Sequence, residues 1–148
     1  MGLVRSSWGN ALVLVFALAV LAACQRTPPE QRLRDTIAGL QAAVEERDAG
    51  GVADTLASDF VGPDSLDRDG TRRMAQLMFL RHAKVGTTVG PLDVEMKGGY
   101  ATVRFTASLT GGGQALLPDA ARVYDVETGW REDDGEWHLI SANWTPKL

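Results

Sequence analysis

The feature that most constrains this chain is a change of hydrophobic period near its middle. Leu33, Ile37, Leu40 and Val44 recur at helical spacing and form one apolar stripe. Beyond Thr87 the period falls to two: Leu92, Val94 and Met96 alternate with Asp93, Glu95 and Lys97. A helix-period segment cannot serve as a strand without placing half its apolar residues in water. Helices first and strands second therefore predict an α+β plan.

The spacing predicts a first helix opening at Thr27-Pro28-Pro29-Glu30, with Thr27 as cap, and ending near Arg47. A second, capped by Asp48, carries Val52, Leu56 and Phe60. Gly62-Pro63-Asp64-Ser65 and Asp67-Arg68-Asp69-Gly70 read as loops. A third helix, capped by Asp69, runs from about Thr71 to Lys84 with Met74, Leu77, Met78 and Arg81 along one side and Leu80 widening the apolar surface.

Gly98-Gly99 is a hairpin signal. A two-residue turn there pairs Met96 with Ala101, Val94 with Val103 and Leu92 with Phe105 on one face. Lys97–Tyr100, Glu95–Thr102 and Asp93–Arg104 then share the other. Apolar and polar residues separate cleanly in this register. Gly111-Gly112-Gly113 reads as a loop. Strands follow over Ala121–Arg131 and Glu136–Trp144, joined by Asp134-Gly135, a type I′ turn signal.

The chain has 148 residues and changes character at its lone cysteine, Cys24. Residues 1–23 hold a single charge, Arg5, and an apolar run from Ala11, the layout of a secretory signal. Leu21-Ala22-Ala23-Cys24 resembles the lipobox of bacterial lipoproteins. That resemblance implies cleavage before Cys24 and diacylglyceryl and palmitate chains on it. Gln25, where an Asp tends to retain such proteins at the inner membrane, implies the outer membrane, facing the periplasm. The expected organisation is a signal helix over 1–23, a short tether over 24–29 and one domain over 30–148.

From Cys24 onward 14 basic residues face 19 acidic ones, a net charge of −5. That balance argues against nucleic acid, whose phosphates need clustered Lys and Arg, and against a polybasic grip on lipid.

Gly129-Trp130-Arg131-Glu132-Asp133-Asp134-Gly135-Glu136-Trp137-His138-Leu139-Ile140-Ser141-Ala142-Asn143-Trp144 resembles the last hairpin of nuclear transport factor 2-like (SnoaL-like, cystatin-like) proteins. The stretch Arg47–Phe60 is similar to the step between their first two helices. The resemblance implies helices packed on a curved antiparallel sheet of about four strands around a conical pocket. It also implies an exposed sheet face of the kind that forms homodimers.

Phe60, Met78, Phe79, Tyr124, Trp130 and Trp144 are the residues expected to line such a pocket. Relatives of isomerase or dehydratase type use a pocket carboxylate or His, which makes Asp125, Glu127, His82 and His138 the residues to inspect. In relatives of the ketosteroid isomerase kind a Tyr and a neutral carboxylic acid together form an oxyanion hole. Here the two tyrosines, Tyr100 and Tyr124, fall on strands, and the first helix has none to build such a hole. No metal or cofactor is expected. His82 and His138 lie far apart, and Gln76 stands where a calcium loop centred on Gly70 would need its closing acid. The sequence thus reads as an envelope lipoprotein whose domain binds a small apolar ligand or a partner protein. An enzyme and a homodimerising module are the alternatives.

Overall fold

The computed structural model describes residues 26–112 and 122–147. The signal segment, Cys24, and Gly113 of the glycine run lie outside the described residues. Three helices come first: α1 (Pro29–Glu45), α2 (Ala49–Thr55) and α3 (Arg68–Arg81). The strands are β1 (Leu56–Val61), between α2 and α3, then β2 (Lys84–Val89), β3 (Asp93–Lys97), β4 (Tyr100–Gly112), β5 (Arg122–Asp133) and β6 (Glu136–Pro146). The sheet order is β1-β6-β5-β4-β2, with β3 also paired to β4. The β1–β6 pair is parallel and the others are antiparallel.

The α+β plan, with three helices packed on a curved sheet, is as expected. The sheet itself is mixed and has six strands rather than about four. Leu56 to Val61, read above as the end of a helix, is a strand. Its helix stops at Thr55, where Leu56 turns extended (φ −81°, ψ 137°). Its burial pattern matches neither period cleanly, so pairing with β6 decides its form. Lys84 to Val89 likewise forms β2 against β4, so the third helix ends at Arg81 and the sheet begins sooner. Gly111 and Gly112 are not loop but strand, opposite Val85 and Lys84.

Local chemistry sets the helix ends. The first helix is preceded by Pro28 rather than capped by the Thr27 side chain, with Pro29 in its opening turn. Asp48 caps α2 by accepting from the Gly51 amide at 3.0 Å. Asp67, not Asp69, caps α3, accepting from the Gly70 amide at 2.6 Å. Asp69 lies inside the first turn instead.

The two hairpins follow their turn residues. Gly98 alone of its pair has positive φ (60°), as a II′ turn requires, while Asp134 (53°) and Gly135 (86°) both do, as I′ requires. All five β3–β4 pairs from Lys97–Tyr100 to Asp93–Arg104 hold in the predicted register, and Leu92 lies just before the strand.

The core joins α1 to the inner sheet face. Leu33 and Ile37 meet Leu56, Phe60, Ala101, Val103, Trp130, Trp137 and Leu139. Trp130 is 1% exposed, and its indole Nε1 donates to Thr128 Oγ1 at 2.8 Å. That hydroxyl in turn donates to the Val103 carbonyl at 3.1 Å. A buried polar pair of this kind is stable because each group has a partner.

The start of α1 is fastened to the last hairpin. Trp137 Nε1 donates to the Pro29 carbonyl at 3.0 Å. Arg32 donates to the Gly135 carbonyl at 3.1 Å and forms an ion pair with Glu132.

Candidate functional site

Strand alternation decides which side chains each sheet face presents. In β4, β5 and β6 the rungs run Arg104–Glu127–Asn143, Phe105–Val126–Trp144 and Thr106–Asp125–Thr145. The middle rung continues the inner face of Val103, Thr128 and Ala142. The other two point outward. An open groove of about 560 Å³ lies over these three rungs, bounded on one side by Pro91. Its walls are the outward polar side chains. Its floor is backbone, because Phe105, Val126 and Trp144 turn their side chains away.

The groove's charges are arranged in cross-strand pairs. Arg104 donates to Glu127 at 2.7 Å and reaches Glu95 at 3.5 Å. Glu127, then Glu95, hold the guanidinium more firmly protonated than usual. Asp125 accepts from Thr106 at 3.1 Å and from Lys147 at 3.2 Å. Asn143 and Thr145 complete the wall. These groups are largely solvent-exposed, so they can hydrogen-bond a polar partner.

A second network occupies one end of the outer face. Arg131 grips Asp59 with two bonds at 2.9 and 3.1 Å and Asp133 with a third at 2.9 Å. The hydrogen bonds from Arg131 hold the Asp59 carboxyl below its ordinary range. His138, opposite Arg131, has a buried Nδ1 with no hydrogen-bond partner among the described residues. His82 closes α3, its backbone amide donating to the Met78 carbonyl at 3.1 Å.

The six residues expected at a pocket fall in three places. Phe60 and Trp130 are core. Tyr124 and Trp144 lie toward the far end of the inner sheet face, Trp144 at 41% exposure. Met78 and Phe79 ride on α3, which packs on α2 and β1. The groove residues Arg104, Thr106, Asn143 and Thr145 were missed from sequence. Their signal was present in the polar half of the β3–β4 register and in the alternation of β6. Among the described residues no cluster of His, Cys, Asp and Glu is suited to a metal ion, and no helix is long and apolar enough to cross a membrane.

No protein-family model matches the chain, and no curated protein matches it. Solved structures do. A putative dehydratase from the nuclear transport factor 2-like family of Streptomyces avermitilis is 16% identical, with a TM-score of 0.72 over 81% of this chain and 97% of that one. A protein of the same fold and unknown function from Pseudomonas putida is 19% identical, with a TM-score of 0.68 over 80% and 87% of the two chains. Bd1075 of Bdellovibrio bacteriovorus is 10% identical at a TM-score of 0.68; 79% of this chain matches, spanning only 41% of that one. The chain thus has the α+β fold of nuclear transport factor 2-like, or cystatin-like, proteins. At these identities the likeness is one of fold, and the dehydratase name belongs to the Streptomyces protein.

Proposed function

We propose that this chain is a lipid-anchored envelope protein whose domain binds a partner protein through the outer-face groove rather than catalysing a reaction. The observation that carries the binding reading is the location of its ionisable groups. Asp125, Glu127 and Arg104 are exposed and already paired across the strands. The interior instead holds Trp130, Phe60 and a hydroxyl, Thr128. Catalytic acids and bases are usually found desolvated in a cleft. An open, polar groove suits an extended polar segment of a partner better than an apolar metabolite, which needs a concave apolar pocket.

The anchor reading rests on Arg5, the apolar run from Ala11 and Leu21-Ala22-Ala23-Cys24. More than one acyl chain on Cys24 would give stable attachment, where one gives only marginal binding. The absence of Asp at position 25 supports the outer membrane.

Two experiments test this reading. Cys24→Ser should abolish radiolabelled palmitate incorporation, and continued labelling would sink the anchor. Affinity capture from solubilised membranes should recover a partner that Asn143→Arg, which fills the groove, no longer holds. Equal recovery by both chains would rule the groove out, and a bound metabolite in place of any protein would rule out the protein partner.

A further inference from the structure

Among the described residues, α3 turns an apolar side outward. Its inward residues are Thr71, Ala75 and Phe79, spaced four apart on one stripe. Met74, Leu77, Met78 and Leu80 are exposed by 41%, 55%, 47% and 83%. At about 100° per residue they spread over roughly 160° of the helix surface. Residues so placed are normally polar, and a contiguous apolar patch of this kind marks a contact surface.

Charge identifies what the patch fits. The chain is acidic overall, with a net charge of −4, yet α3 carries Arg68, Arg72, Arg73 and Arg81 against Asp69 alone. Arg68 is committed to the Ala53 carbonyl and Asp54. Among the described residues Arg72, Arg73 and Arg81 make no ion pair. Arg73 and Arg81 stand four residues before and after Leu77, one turn away on either side. Lys84 follows the helix, and Arg47 reaches the His82 carbonyl at 3.5 Å, adding charge beside the helix's end. A second copy is a poor occupant, because a two-fold contact lays the same patch on itself and would oppose these arginines. An anionic bilayer accepts both features: the apolar side chains enter the acyl boundary while the arginines extend to the headgroups.

We propose that α3 lies in the headgroup region of a membrane containing anionic phospholipid. This placement rests in part on the anchored reading, since a tethered domain meets that surface continuously. Four residues lie between Cys24 and Pro29, and the five steps of chain reach at most about 18 Å. The first helix is about 25 Å long, and Arg47 at its far end contacts the end of α3. Anchor and α3 can therefore meet one bilayer when α1 lies along it. The helix layer then faces the lipid, and the outer sheet face with its groove points away, open to a partner.

A site-specific label tests the placement. Cys24 is the only native cysteine and is blocked when acylated, so Leu80→Cys supplies a single free thiol on a side chain with little packing to lose. The full chain carrying an environment-sensitive fluorophore there is reconstituted in vesicles of phosphatidylcholine with or without phosphatidylglycerol. Asp93→Cys, on the outer sheet face, is the reference. The Leu80 label should be shielded several-fold from an aqueous quencher in anionic vesicles. It should lose that shielding in neutral vesicles and when Arg73 and Arg81 are changed to Ser, while the Asp93 label stays accessible throughout. Equal accessibility of the two labels in anionic vesicles overturns the proposal. So does shielding that is the same in neutral vesicles and grows with protein density, which assigns the patch to a second copy. The intact mass reads the anchor separately. An acylated chain with an accessible Leu80 label overturns the α3 placement and keeps the anchor. If the chain proves unacylated, the same label is placed on Leu80→Cys with Cys24→Ser, and entry of α3 into anionic vesicles then removes the anchor and keeps the placement.

Discussion

Two side chains carry more of this structure than their size suggests. Thr128 is buried, donates to Val103 and accepts from the Trp130 indole. Thr128→Val keeps the shape but leaves the Trp130 indole N–H without its acceptor in the interior, which should cost about 2–3 kcal/mol. Thr128→Ser keeps the hydroxyl and loses one methyl, for about 1 kcal/mol. Urea denaturation of the two variants checks the ordering, and equal costs would assign the effect to packing. Asp59 gives a pH signature. Its carboxyl is held below the ordinary value by Arg131, so its stabilising contribution is present above the unfolded pKa, near 4, and is lost as pH falls through the lower folded value. The wild-type urea midpoint should therefore exceed that of Asp59→Asn by a constant amount above about pH 5 and converge on it below about pH 4. A gap that stays constant to low pH would show that the Arg131 contact is not ionic in effect.

At the level of elements, what could be read in the sequence was what the chain decides locally. Both hairpins were legible because a two-residue turn fixes the register and the two-residue period confirms it. The β1–β6 pair was not, since it joins Leu56 to Leu139 across most of the chain and its six residues carry no clean period. The candidate groove was legible only in part, because the β3–β4 register separated its polar half while the outward face of the last hairpin was set by packing. Leu80 widened the apolar surface of the third helix in sequence, and only the packing of α2 and β1 against the opposite side of α3 leaves it outside. Trp130 and Phe60, named as pocket lining, are buried in the core. The cap of α3 is a sharp case, because Asp67 and Asp69 both stand ahead of the helix's first apolar residue, Met74, and only the Gly70 amide distinguishes them. Asp67→Ala should cost about 1 kcal/mol, whereas Asp69→Ala, losing only a favourable charge in the first turn, should cost about 0.5 kcal/mol or less. Thermal melts of the two variants decide between the caps.

The molecule as a whole is organised around its last strand. It sits between β1 and β5, so it is the one strand that closes the sheet on the early part of the chain, and it supplies Trp137 and Leu139 to the core. A chain ending at Asp133 should therefore show no cooperative thermal transition by circular dichroism, rather than a lowered midpoint. A sharp melt from that fragment would mean that α1 and the other strands suffice. The contacts of Trp137 with Pro29 and of Arg32 with Gly135 span more than a hundred residues of sequence. On a ribosome adding roughly 5–20 residues each second, the first helix waits several seconds for the hairpin that receives it. Helices of this length form in about a microsecond, so throughout that interval Leu33 and Ile37 present an apolar stripe with no partner. For a chain that must thread a membrane before it folds, the delay keeps it threadable; for one left in the cytosol, it is an opening for chaperones.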